Sequence, residues 1–85
     1  MKVGTAGGIE SNDCLITVIE NNELVVEIES IVDAFFHDEI EKTILSTLKE
    51  LNISKIKVKC QDKGALNYTI KARLTTAIER MKDNA

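Results

Sequence analysis

The apolar positions of this chain fall into five stretches that follow two different periods. Cys14-Leu15-Ile16-Thr17-Val18-Ile19 is apolar and β-branched and predicts a first strand. Glu20-Asn21-Asn22-Glu23 follows; adjacent asparagines tolerate left-handed backbone angles, so the pattern predicts a hairpin turn. Leu24 to Ile31 predicts a second strand, with Leu24, Val26 and Ile28 on one face and Glu27 and Glu29 on the other, one side buried and one wet. Ile31 to His37 either prolongs that strand or opens a helix, for which Asp33 and Asp38 are both acceptable start signals. From Asp38 the period lengthens. Ile40, Ile44, Leu45, Leu48 and Leu51 recur at helical steps, Glu39, Glu41, Lys42, Lys49 and Glu50 fill the opposite face, and Asn52 marks the end. Lys55-Ile56-Lys57-Val58-Lys59-Cys60 alternates strictly and predicts a strand with Ile56, Val58 and Cys60 inward. Its outward lysines either meet water, which also discourages edge-to-edge pairing, or contact an acidic partner. Asp62 begins the last element, capping a helix with Gly64 in its first turn and a stripe of Leu66, Ile70, Leu74, Ala77, Ile78 and Met81.

The order is β-β-α-β-α. Two amphipathic helices packed on one face of a three-stranded sheet make a two-layer α+β domain. That domain spans residues 14–85. Residues 1–13 carry no usable period and read as a flexible segment. Gly4, Gly7 and Gly8 fall within it, followed by Ser11 between the carboxylates Glu10 and Asp13.

Composition narrows the function. At 85 residues and 44% apolar content the chain supports one core. No apolar run approaches the length of a membrane span, and no basic-then-hydrophobic leader opens the chain, so a cytoplasmic, non-membrane protein is expected. The net charge of −3 weighs against a nucleic-acid partner. Cys14 and Cys60 lie in strand-like runs and read as core thiols. A single histidine and the absence of C-x-x-C argue against zinc.

Few groups could do bond chemistry. Nucleophilic attack by Ser11 needs a base, and His37, the only imidazole, sits at the strand–helix join with no supporting spacing. Glu10 and Asp13 lie too near the chain end for the burial that acid–base work requires. Gly7-Gly8 resembles a phosphate loop but precedes a strand and lacks the Lys-Ser/Thr tail. Ser11 is therefore either an ordinary turn serine or an exposed attachment point on a glycine-bearing segment. Lys71 and Arg73 are either a solvated helix face or contacts for phosphates or an acidic partner.

Gly7-Gly8-Ile9-Glu10-Ser11-Asn12-Asp13 resembles the segment around the modified serine of the citrate lyase acyl carrier (gamma) subunit. Gln61-Asp62-Lys63-Gly64-Ala65-Leu66 and Ile70-Lys71-Ala72-Arg73-Leu74 resemble that family's D-K-G-A-L and I-x-A-R motifs. The likeness covers essentially the whole chain. It implies a non-catalytic carrier with a phosphoribosyl-dephospho-coenzyme A arm linked to Ser11 through a phosphodiester. It also implies an alpha subunit that exchanges acetyl for citryl on the arm's thiol, a beta subunit that releases oxaloacetate, and a transferase that attaches the arm. The acyl carrier of malonate decarboxylase is the alternative within this class, and an unmodified protein-interaction domain is the alternative outside it.

Overall fold

The inward faces of four strands and two helices meet in one core. The computed structural model describes residues 1–31 and 34–83. The elements are β1 (Val3–Gly7), β2 (Cys14–Glu20), β3 (Leu24–Ser30), α1 (Ala34–Glu50), β4 (Ile56–Asp62) and α2 (Asn67–Asp83). The α+β class and the single helical layer agree with the periodicity. Cys14, Ile16 and Val18 of β2 and Ile56, Val58 and Cys60 of β4 face Ile40, Ile44 and Leu48 of α1 and Ile70, Leu74, Ala77 and Ile78 of α2. Each of the larger aliphatic side chains contributes about 1.5–3 kcal/mol on full burial. Leu45, Leu51 and Leu66, which the helical stripes place inward, are exposed.

Two expectations about the sheet are corrected. It has four strands, in the order β1-β2-β4-β3, not three. The additional strand pairs antiparallel with β2, Val3 opposite Ile19 through Gly7 opposite Leu15. Its inward residues are Gly4 and Ala6, both buried, so it gives no hydrophobic alternation to read. A Cβ on Gly4 would collide with the Ala77 carbonyl and the Met81 backbone, so small residues here let α2 approach the sheet closely.

The predicted hairpin does not form either. β2 and β3 are consecutive but lie on opposite sides of β4, antiparallel and parallel to it respectively. A parallel β3–β4 pair needs a crossover, and α1 supplies it. The Asn21-Asn22 turn therefore bridges strands separated by a third. Strand β4 is central, so its lysines protect no edge. Lys59 is opposite Glu27 in register, and Lys57 Nζ lies 3.3 Å from Glu27 Oε1. These are cross-strand charge pairs on the outer face.

Asn52 ends α1 as expected. It adopts φ +58°, and Ile53 N–H donates to Leu48 C=O at 2.9 Å, closing the helix with a left-handed cap. Asp33, one of the two start signals, lies outside the described residues. Helix α2 begins later than predicted, at Asn67; Thr69 and Ile70 N–H donate to Leu66 C=O. Gly64 thus belongs to the turn before the helix, at φ +93°.

Candidate functional site

Ser11 lies in the loop that joins β1 to β2. Gly7 starts this loop at φ +94°, where a Cβ would meet the Cys14 carbonyl, and Gly8 N–H donates to that same carbonyl at 3.1 Å. Asp13 N–H donates to Glu10 C=O at 3.2 Å, closing a four-residue turn with Ser11 and Asn12 at its centre. Asn12 takes φ +66°, a conformation asparagine tolerates. Ser11 is exposed, and among the described residues no group hydrogen-bonds its hydroxyl.

The second half of the chain holds this turn from two sides. Asn12 N–H donates to Lys63 C=O at 2.8 Å, and Lys63 N–H donates to Asp13 C=O at 2.9 Å. The β2–β4 ladder therefore continues one step past Cys14–Asp62 to the residues flanking Ser11. Lys63 is itself fixed by Asp62. That carboxylate is 2% exposed and accepts from Ser30 Oγ (2.8 Å), Gly64 N–H (3.2 Å) and Ala65 N–H (2.9 Å). The D-K-G-A-L segment is thus a side-chain-capped turn, and its job is to present the Lys63 backbone.

The other support is Arg73. Its Nε donates to Asp13 Oδ1 at 3.1 Å and its Nη2 to Asp13 Oδ2 at 3.2 Å, in a two-pronged pair. Cys14 N–H also donates to Asp13 Oδ1, at 2.8 Å. The Arg73 bond first, then the Cys14 amide, hold the Asp13 carboxyl below its usual range. Arg80 Nη1 donates to Thr5 C=O at 2.9 Å, tying α2 to β1 as well.

Both motif segments of the sequence therefore converge on the Ser11 turn. Arg73 is not a merely solvated face residue. Lys71 is: among the described residues its Nζ pairs with exposed Glu50, at 2.9 Å. His37 lies in α1, and among the described residues no hydrogen bond joins it to Ser11. The parts that sequence reasoning missed are the Asp13–Arg73 pair, the backbone role of Lys63 and the left-handed Asn12. Only the last had a local signal, an Asx residue just before a strand.

Cys14 and Cys60 are free and buried. The neighbouring Cys14 thiol and burial push the Cys60 thiol up. Among the described residues, no helix is long and apolar enough to cross a membrane.

Residues 1–81 match the protein-family model described as "Malonate decarboxylase delta subunit (MdcD)". The citrate lyase acyl carrier protein of Fusobacterium nucleatum subsp. nucleatum is 44% identical over 84 residues, which is 96% of this chain and 89% of that one. The citrate lyase acyl carrier protein of Halothermothrix orenii is 38% identical over 85 residues, 99% of this chain and 90% of that one. Among solved structures, a chain of a Pseudomonas malonate decarboxylase hetero-tetramer in complex with malonate superposes with TM-score 0.76 at 15% identity, over 94% of this chain and 84% of that one. The Staphylococcus aureus RNase P protein superposes with TM-score 0.58 at 13% identity, over 93% of this chain and 84% of that one. These two likenesses concern the fold alone, which serves unrelated functions.

Proposed function

The chain belongs to the citrate lyase acyl carrier protein family, and on that premise we propose that Ser11 is the residue through which it carries its cargo. The protein is an acyl carrier subunit of citrate lyase. The curated relatives at 44% and 38% identity are named for that enzyme, and that favours citrate over malonate.

The observation that carries the Ser11 assignment is the contrast between the hydroxyl and its supports. Ser11 is exposed and, among the described residues, its hydroxyl is unengaged, while the residues beside it are pinned by Lys63 and Arg73. A modifying enzyme needs an accessible nucleophilic oxygen on a backbone of defined shape. Residues 8–13, rather than all of 1–13, then form the presenting segment, and the remainder of the chain is the carrier domain.

The residues fit a serine-linked phosphoribosyl-dephospho-coenzyme A arm. A phosphodiester on Ser11 would lie beside Glu10 and Asp13, and Arg73 already neutralises Asp13. When attached, the arm supplies a thiol that holds an acyl group as a thioester. This chain's own part is non-catalytic: it holds the attachment point and raises the effective concentration of the tethered cargo at the partner active sites. Those partners are the alpha and beta subunits of the lyase, together with the transferase that installs the arm, all in the cytoplasm.

Intact mass of the chain purified from its own host tests the assignment. A nucleotide-containing adduct that maps to Ser11, absent in Ser11→Ala along with lyase turnover, is the expected result. An unmodified chain in an active complex, or turnover that survives Ser11→Ala, would overturn it.

A further inference from the structure

We propose that the crevice between the starts of α1 and α2 is a docking site on this domain for the acyl-bearing end of the arm, and that it accepts an uncharged acyl group and rejects a carboxylated one. The inference rests on the attachment at Ser11 proposed above.

Strands β3 and β4 finish, and α1 and α2 begin, at the sheet end where β1 hands over to β2. The crevice there has a volume of about 370 Å³ and apolar walls from Phe36, Ile40, Ala65 and Leu66. It adjoins the Ser11 turn directly. Gly64, another of its lining residues, stands so close to Asn12 that a Cβ on it would lie 3.6 Å from Asn12 Oδ1. Phe36 and Leu66 are 51% and 58% exposed, and Ile9 and Ile31 are also exposed at this end. Clustered exposed apolar side chains of this kind mark a binding surface.

Size and charge select the occupant. Small-molecule sites occupy about 300–1,000 Å³. This crevice is near the lower bound, enough for a terminal amide-and-thioester chain but not for a whole nucleotide-bearing arm. Among the described residues, the acidic or basic side chains that line it are Glu39 and Asp62, both carboxylic. Both oxygens of Asp62 are already occupied by Ser30, Gly64 and Ala65 donors. Among the described residues no lysine or arginine lines the crevice, so an entering anion would be desolvated without a counter-charge. The arm's phosphates are therefore left outside, on the side of Lys63 and Arg73. An acetyl-loaded end is neutral and can enter; a citryl-loaded end brings carboxylates and cannot. The crevice residues would thus shelter the acetyl form from water between turnovers and release the arm once citryl replaces acetyl.

The test uses the full-length chain loaded by the attaching enzyme and checked by intact mass. A chain that stays bare overturns the Ser11 assignment and this inference with it. On the loaded chain, acetylation is expected to shift the amide and side-chain NMR signals of Ala65, Leu66 and Phe36, whereas loading with citryl is not. Reaction of the acetyl thioester with hydroxylamine is expected to be slower than that of a free acetyl thioester, about tenfold for an end docked nine-tenths of the time. Leu66→Asp, at an exposed position, should keep the fold and abolish both the shifts and the protection. An adduct that is present while acetyl and citryl shift the same signals equally, or while wild type, Leu66→Asp and the free thioester react alike, would refute the docking site but not the attachment.

Discussion

The guanidinium of Arg73 grips the carboxylate of Asp13 through two hydrogen bonds, across 60 residues of sequence. It is a pair between α2 and the residue that closes the Ser11 turn, so it couples the helical layer to the presenting loop. The side chains are 43% and 23% exposed, which places the pair between a surface and a buried bridge. Arg73→Gln is expected to cost about 1 kcal/mol, an upper value for partly exposed pairs. In a domain of this size that lowers Tm by about 4–8 °C. Attachment of the arm should slow several-fold, because the turn loses one of its two supports. Thermal melts and the rate of adduct formation check both.

The same pair sets a pH dependence. Asp13 has a folded-state pKa below its ordinary 3.8. A depressed carboxyl contributes stability above its unfolded pKa and loses it as pH falls through the folded value. The stability difference between wild type and Arg73→Gln should be constant from neutral pH down to about pH 5, then shrink toward zero below about pH 4. Urea titrations of both proteins across that range measure it, and a difference that grew on acidification would contradict the assignment.

Asp62 is buried with three donors aimed at it. Asp62→Ala would strand two backbone N–H groups and a hydroxyl, each costing about 1–3 kcal/mol if left unpaired, with partial relief by water. A loss of about 3 kcal/mol is expected, against a smaller loss for Ser30→Ala, which leaves the two backbone donors to Asp62 in place. Because Lys63 moves with this turn, the Asn12 and Asp13 amides should exchange faster with solvent in Asp62→Ala.

Gly4 faces the backbone of α2, and no side chain fits between them. Gly4→Val should therefore cost about 1–3 kcal/mol through overpacking. Strand β1 is an edge strand, so the damage should stay local. Hydrogen exchange is expected to show lost protection over Val3–Gly7 while the β2–β4–β3 amides stay protected.

Most of the two-layer domain was legible from periodicity, because inward and outward faces alternate in a way that residue types record directly. That reading covered β2, β3, β4 and both helices, down to the Asn52 cap. Ser11 also stood out locally, as a hydroxyl just after two glycines, and the two motif segments pointed to a family. Neighbour relations were another matter. A period says which way a side chain faces and nothing about which strand lies alongside, so the Asn21-Asn22 turn read as a hairpin although β4 lies between its two strands. Strand β1 left no trace because its inward residues, Gly4 and Ala6, are selected for smallness rather than hydrophobicity. The hold of Asp62, Lys63 and Arg73 on the Ser11 turn is likewise a product of folding. Charges and amides far apart in sequence become partners only once the chain closes, and local pattern carries no record of that closure.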